Sequence, residues 1–258
     1  MTRTAVDIFD LSGRVALITG ASSGLGWRFA EVLAANGASV ALCARSADKL
    51  ASLAHRIEQA GGTAVAIEMD VTDEASVIEG FDRATEALGV PTILLNNAGM
   101  ALQQTILEHS LEDWRRVLDT DLDGVFLAGR EAARRMIEAG QSGTVVNVAS
   151  ILGFGVSKTL AAYATAKAGV VQLTRAMALE WATSGIRVNA IAPGYILTEI
   201  NRNFFETPQG EELIQTIPMK RIGDPSDLDG VLLLLASDAS GFMTGETVVI
   251  DGGHLSPI

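Results

Sequence analysis

From residue 14 to residue 250 the chain alternates short apolar runs with longer stretches of helical period, and few folds accommodate that rhythm. The runs at 14–19, 39–43, 63–68, 92–95, 144–149, 187–191 and 247–250 read as strands buried on both faces. Between the first two, alanine, leucine and phenylalanine recur at i, i+3 and i+4 over 24–36 until Asn36-Gly37 stops the helix. A second helix over 47–60 ends at Gly61-Gly62, and a third over 73–88 has Thr72 or Asp73 as its cap. Further helices are expected over 111–139, capped by Ser110 with Asp113 three residues on, over 161–183 and over 226–236. Such alternation implies an α/β architecture, a doubly wound, mostly parallel seven-stranded sheet with helices on both faces. No repeat, low-complexity tract or linker divides the chain, so residues 1–258 read as a single domain. One segment breaks the rhythm. Residues 194–224 form a long mixed insertion, expected as a lid over a substrate or else as a solvated loop with a short helix.

Composition narrows the function classes. Nineteen basic against 31 acidic side chains give a formal charge of −12, a field that repels phosphate backbones and disfavours nucleic-acid partners. The single cysteine, Cys43, excludes an internal disulfide and a thiolate zinc cluster. The three histidines, His55, His109 and His254, fall on different expected elements, so no metal site is expected. Residues 1–13 contain Asp7 and Asp10 and lack the apolar run of a signal peptide. The most apolar short stretch, 231–236, is far shorter than a membrane span. The expected compartment is the cytoplasm, with no membrane partner. Acid–base chemistry would draw on a short supply: two tyrosines, Tyr163 and Tyr195, and four lysines.

The first strand ends in Thr19-Gly20-Ala21-Ser22-Ser23-Gly24-Leu25-Gly26. Glycines at a strand-to-helix turn let the backbone approach a pyrophosphate, whose charge then sits on the helix N-terminus. The spacing is G-x-x-x-G-x-G. The second strand runs out through Cys43-Ala44-Arg45-Ser46, without the acid that would hold a ribose 2′-hydroxyl. Arg45 instead places a guanidinium where a 2′-phosphate would lie, with Ser46 as a further donor. NADP(H) is therefore the expected cofactor and NAD(H) the alternative; Arg45 as a plain solvated helix-start residue is the bland reading. Tyr163 and Lys167 stand four apart near a helix start, on one face. An ammonium beside a phenol favours the phenolate and makes tyrosine a usable acid–base. Ser150 ends a strand at the carboxyl edge of the sheet, where a hydroxyl can hydrogen-bond a substrate carbonyl.

Taken together these motifs resemble the classical short-chain dehydrogenase/reductase family, from about residue 11 to residue 253. The resemblance rests on TGASSGLG at 19–26, Asp70, NNAG at 96–99, Ser150, YATAK at 163–167, Asn189 with Pro193-Gly194, and Asp251-Gly252-Gly253. It implies a single-domain Rossmann fold and hydride transfer between a nicotinamide cofactor and a ketone or secondary alcohol. By resemblance Gly20, Ser22, Ser23, Gly24, Leu25 and Gly26 hold the pyrophosphate, and Asp70 and Val71 meet the adenine. Asn97, Ala98 and Gly99 flank the adenosine ribose, while Pro193, Gly194, Ile196 and Thr198 flank the nicotinamide. Ser150 would bind the carbonyl, Tyr163 exchange the proton, and Lys167 tune Tyr163 and hold the nicotinamide ribose. One departure stands in the catalytic set: Asp121 occupies the place of an asparagine that helps position a water linking the lysine to solvent. If the relay uses a backbone carbonyl the change is benign; if the side chain matters, a carboxylate raises the proton affinity of Lys167.

The substrate pocket implied by resemblance comprises Met100, Leu102, Ile151, Phe154, Tyr195, Ile196, Leu197, Phe204, Phe205 and Met219. A set so apolar favours a ketone or 3-oxoacyl substrate over a sugar, unless the same residues merely pack the insertion. A sugar or polyol dehydrogenase is the alternative. A non-catalytic dinucleotide sensor would typically lose Tyr163 or Lys167, and a sugar-nucleotide epimerase would carry a larger C-terminal domain. Family members pair through the long helix, so a homotetramer or homodimer is expected. Arg130, Arg134 and Arg135 on that helix are a candidate basic patch for an acidic carrier protein.

Overall fold

The apolar runs become strands and the periodic stretches become helices in the computed structural model, which describes residues 4–199 and 201–256. A short helix, α1 (Ala5–Phe9), is closed by a capping box between Thr4 and Asp7. β1 (Val15–Thr19), α2 (Gly24–Ala35), β2 (Ser39–Ala44), α3 (Ala47–Gln59), β3 (Thr63–Glu68), α4 (Glu74–Leu88) and β4 (Ile93–Asn96) follow. Next come α5 (Leu111–Leu118), α6 (Gly124–Glu138), β5 (Gly143–Val148), α7 (Ala161–Trp181) and β6 (Ile186–Pro193). The chain closes through α8 (Arg202–Phe205), α9 (Pro208–Thr216), α10 (Asp229–Ala236) and β7 (Thr247–Ile250).

The seven strands pair in parallel in the order β3-β2-β1-β4-β5-β6-β7. Successive strand residues point to opposite faces. Thus Ala16 and Ile18 join Phe29, Leu33, Leu50 and Leu232 in one apolar layer. Leu17 joins Phe81, Ala128, Met136 and Met177 in the other. Cys43 lies in β2 between Thr19 of β1 and Ile67 of β3, and burial pushes its thiol up to about 12. The strand order reverses between β1 and β4, which opens a crevice at their carboxyl ends.

Two stretches depart from the expected elements. The helix over 111–139 is broken by a wider, π-type turn at Asp119–Asp123, which carries Asp121 to full burial. Helical periodicity alone does not reveal such a turn, and π turns of this kind frequent functional sites. The insertion at 194–224 is more ordered than a solvated loop, since it contains α8 and α9. Its two ends are latched: Leu197 N–H donates to Gly223 O at 2.8 Å and Gly223 N–H to Tyr195 O at 2.9 Å. Among the described residues no helix is long and apolar enough to cross a membrane.

Candidate active site

The turn after β1 is shaped by what its glycines leave out. Gly20 has φ +66°, and a Cβ there would lie 2.8 Å from Ala98 Cα. A Cβ on Gly26 would lie 2.3 Å from Gly20 O and 2.5 Å from Asn97 Nδ2. The turns after β1 and β4 are then stitched together: Thr19 Oγ1 accepts the Asn97 and Ala98 N–H groups, each at 3.0 Å. In return Asn97 Nδ2 donates to Thr19 O at 3.1 Å and Gly20 O at 3.2 Å. No side-chain hydrogen bond from Ser23 caps α2, so the first N–H groups of that helix face the crevice with their dipole. This donor set fits a pyrophosphate.

A cleft of about 580 Å³ runs from this turn along the carboxyl edge of the sheet. Its walls include Gly20, Ser22, Ser23, Gly24, Leu25, Arg45, Ser46, Asp70, Val71, Asn97, Ala98, Gly99, Asp121, Tyr163, Lys167 and Thr198. Arg45 is exposed at the end of β2 and has no carboxylate partner among the described residues. Asp70 is fixed in its turn, where Oδ1 accepts from Thr72 N at 3.0 Å and Thr72 Oγ1 at 2.8 Å.

At the other end of the cleft α7 presents Tyr163 and Lys167 on one face, with Nζ 5.4 Å from the Tyr163 ring centroid. Lys167 Nζ donates to Val148 O at 3.0 Å and lies 3.2 Å from Asp121 Oδ2. Asp121 Oδ1 accepts the Met100 N–H at 2.7 Å. Burial pushes the Lys167 ammonium down, but Asp121 and Tyr163 more than offset this and the net direction is up. For Asp121, burial pushes the carboxyl up against the pull of Lys167 and the Met100 amide. Ser150 Oγ accepts the Leu152 N–H at 3.1 Å, which leaves its own O–H free to donate. The turn Ile151–Gly153 packs on α7, where a Cβ on Gly153 would meet Lys167 O at 2.9 Å. A buried polar chain locks α7 to the sheet. Asn96 Nδ2 donates to Asn147 Oδ1 at 3.0 Å, and Asn147 Nδ2 to Thr174 Oγ1 at 2.9 Å.

Not every expected residue reaches the cleft wall. Gly26 lies beneath it, and Ser150 directly follows Val148 and Ala149, which do line it. Pro193 and Gly194 lie at the end of β6, outside the wall. Ile196 is buried and faces a separate cavity of about 260 Å³ with Tyr195 and Met219. In the expected substrate pocket, Tyr195 meets Phe205 edge-on at 6.1 Å and His254 at 5.5 Å, and Phe204 meets Phe205 at 5.1 Å. Ile151 and Phe205 are buried, while Phe154, Phe204 and Met219 are exposed. Half-burial pushes the Tyr195 phenol up.

The expected basic patch is absent as a free surface. Arg130 pairs with Glu74, Arg134 with Glu131 and Glu138, and Arg135 with Glu131 and Asp82. Carboxylates one helical turn away and on α4 use up its charge. Among residues that sequence reading missed, Asn201 shapes the cleft most directly. Its Oδ1 accepts Thr198 N–H and its Nδ2 donates to Ile196 O, both at 2.8 Å. An asparagine three residues after a threonine in a loop is a turn signal that was there to be read.

Comparison with known proteins fits this geometry. A family model described as enoyl-(acyl carrier protein) reductase matches residues 20–254. The 3beta-hydroxysteroid dehydrogenase 1 of Eggerthella lenta is 39% identical over 246 residues, covering 95% of this chain and 94% of its own. A short-chain type dehydrogenase/reductase from Mycobacterium marinum superposes with a TM-score of 0.94 at 43% identity, covering 98% of this chain and 100% of its own. A gluconate 5-dehydrogenase from Burkholderia cenocepacia, solved with NADP and tartrate, gives 0.94 at 36% identity, with 99% and 100% covered. The chain belongs to the classical short-chain dehydrogenase/reductase family and is an oxidoreductase.

Proposed function

We propose that the chain is an NADP(H)-dependent dehydrogenase/reductase that interconverts an apolar ketone or 3-oxoacyl group and the corresponding secondary alcohol. The observation that carries this reading is the single cleft shared by the phosphate-cradling turn, Arg45 and the Tyr163–Lys167 pair. Gly20, Ser22, Ser23, Gly24 and Leu25 would hold the pyrophosphate, with Gly26 as the close contact beneath them. Arg45 and Ser46 would meet a 2′-phosphate, and Asp70 and Val71 the adenine. Asn97 to Gly99 and Lys167 would meet the ribose groups. Thr198, backed by Pro193, Gly194 and Ile196, would flank the nicotinamide. When bound, the dinucleotide supplies or takes up the hydride at the carbonyl carbon.

The protein's share of the chemistry is to manage the oxygen. Ser150 O–H, free of its own acceptor, donates to the carbonyl oxygen and orients it. In reduction the Tyr163 O–H passes its proton to that oxygen; in oxidation the phenolate takes it back. Negative charge on the oxygen peaks between these states, where two aligned hydroxyls stabilise it most. The 194–224 segment, with its aromatic cluster at Tyr195, Phe204 and Phe205, would cover the substrate. A sugar or polyol substrate is the second reading, favoured by the likeness to the gluconate 5-dehydrogenase. Assembly as a homodimer or homotetramer is supported by exposed Phe126 and Ile137 on α6 and Leu179 on α7.

Consumption of NADPH and NADH over a panel of apolar ketones, 3-oxoacyl thioesters and keto-sugars tests the reading. A charge-assisted contact to the 2′-phosphate is worth roughly 1.5–3 kcal/mol, so kcat/KM should favour NADPH by about tenfold to a hundredfold. Tyr163→Phe should lower kcat by about 10²–10⁴. A clear NADH preference would remove the cofactor assignment, and full activity of Tyr163→Phe would remove the mechanism.

A further inference from the structure

Asp121 stands opposite two donors. One oxygen accepts the Met100 N–H at 2.7 Å, the other lies 3.2 Å from the Lys167 ammonium, and the side chain is fully buried. An asparagine in this place could satisfy only one of them, because its amide nitrogen would turn N–H bonds toward a donor. A protonated carboxyl facing a charged Lys167 fares no better, since neither oxygen then faces an acceptor for the proton. The pocket is therefore built around a carboxylate. The backbone leaves room for it: a Cβ on Gly99 would lie 2.9 Å from Asp121 Oδ2 and 3.5 Å from Lys167 Nζ. The π-type turn at Asp119–Asp123 delivers the side chain inward, while its neighbours Asp119 and Asp123 stay exposed.

We propose that Asp121 is a positioning residue, the buried ion-pair partner that holds Lys167 charged and in place beside Tyr163. The proposal deepens the proton-transfer reading above and rests on it for its catalytic meaning, though the ion pair itself can be tested without turnover. Lys167 is only 4% exposed, and an ammonium so buried needs a counter-charge to stay ionised. Among the described residues the titratable groups facing it are Asp121 and Tyr163. From the strand ends, Val148 O accepts from Lys167, Gly99 lies beside it, and the Met100 amide holds Asp121. With the carboxylate in place, the Tyr163–Lys167–Asp121 array carries an ammonium whose charge is compensated locally, and Lys167 keeps one N–H for a hydroxyl in the cleft.

The sign of the pH effect follows. In the wild type the folded-state proton affinity of Lys167 is raised, so its contribution to stability is present below the unfolded value near ~10.4 and is lost only above it. In Asp121→Asn burial acts without opposition, and Lys167 is destabilising at neutral pH until it loses its proton on the way to ~10.4. The test is a thermal-unfolding cycle on the full chain, using wild type, Asp121→Asn, Lys167→Met and the double variant, from pH 6 to pH 10. Breaking a buried pair should lower the Tm of Asp121→Asn by roughly 10 °C at pH 7, with the gap narrowing by pH 10. Replacing Lys167 by methionine in the same chain should recover most of that loss, because no buried charge is left unpaired. In activity, the ratio of Asp121→Asn to wild-type kcat/KM should fall as pH rises, as the unpaired Lys167 loses its charge. A Tm loss that is constant with pH and unchanged by Lys167→Met would overturn the proposal. Absence of any carbonyl turnover in the wild type would instead sink the functional reading, with the unfolding cycle still deciding the ion pair.

Discussion

At the scale of single residues the site is made by close approaches that no side chain larger than hydrogen would permit. Gly26 lies against the carbonyl of Gly20 and the amide of Asn97, so the first turn of α2 sits tight on β1 and its N–H groups converge on one point. Gly26→Ala would force a shift there. We expect the dissociation constant for NADPH, read by fluorescence titration, to rise at least about tenfold, with a Tm loss of only a few degrees. The glycine spacing was legible in the sequence because only glycine meets that geometric demand. So were Tyr163 and Lys167, since a period of 3.6 puts residues four apart on one face. The pairing of Asp121 with Lys167 was not legible. It depends on one residue of extra winding between α5 and α6, and the pattern of apolar residues is blind to that. The Asn96–Asn147–Thr174 chain was hidden for a different reason: Asn147 and Thr174 lie in runs that read simply as apolar strand and helix, and the NNAG motif does not say which partner Asn96 meets.

At the scale of elements, the strands stand within a residue or two of where the apolar runs place them: burial on both faces leaves a continuous signature in the inner strands, and the half-buried edge strands β3 and β7 keep an apolar run as well. The insertion was read less well. Its second helix, α9, begins with Thr207 as cap and Pro208 in the first turn, a start signal carried by two residues against a mixed background. A clamp just beyond α9 holds the segment's base: Arg221 pairs with Asp227 through two contacts at 2.6 and 2.9 Å, and Asp227 also accepts the Asp224 N–H at 2.7 Å. The Arg221 guanidinium and the Asp224 amide hold the Asp227 carboxyl down at about 2. A lowered carboxyl stabilises the fold above its unfolded value near ~3.9 and loses that effect as pH falls through about 2. Asp227→Asn should therefore speed hydrogen exchange at the Gly223 and Leu197 amides at pH 7. In the wild type the same loosening should appear only as pH drops from 4 toward 2. Equal exchange in both proteins at pH 7 would show that the clamp does not secure the segment.

At the scale of the whole molecule, two apolar layers of unequal duty enclose the sheet. One includes α2 and so backs the phosphate-cradling turn; the other is built on Phe81 and Met136. Phe81 is fully buried, with the Arg135 guanidinium 5.7 Å above its ring centroid. Phe81→Ala should cost about 3–5 kcal/mol, or a Tm drop of roughly 6–20 °C, while NADPH affinity below the transition stays near wild type. A large loss of affinity would mean that the layer behind α4 shapes the cleft after all. The strand order itself could not be read from periodicity, which counts strands without ordering them; it emerges only in the fold, together with the crevice between β1 and β4. Net charge was the opposite case, readable but indecisive, since the arginines of α6 are each matched to carboxylates and Arg45 stands apart from them.

The solitary cysteine gives this architecture a clock. Cys43 sits mid-sheet between β1 and β3, and a thiol held near 12 offers reagents almost no thiolate while the sheet is closed. A thiol label can reach it only in the moments when β2 leaves its neighbours, so the labelling rate counts openings of the sheet's interior. Two residues on, just past the end of that strand, stands Arg45, so a cofactor seated in the cleft would slow that count, and occupancy of the site would be audible in the chemistry of one sulfur atom.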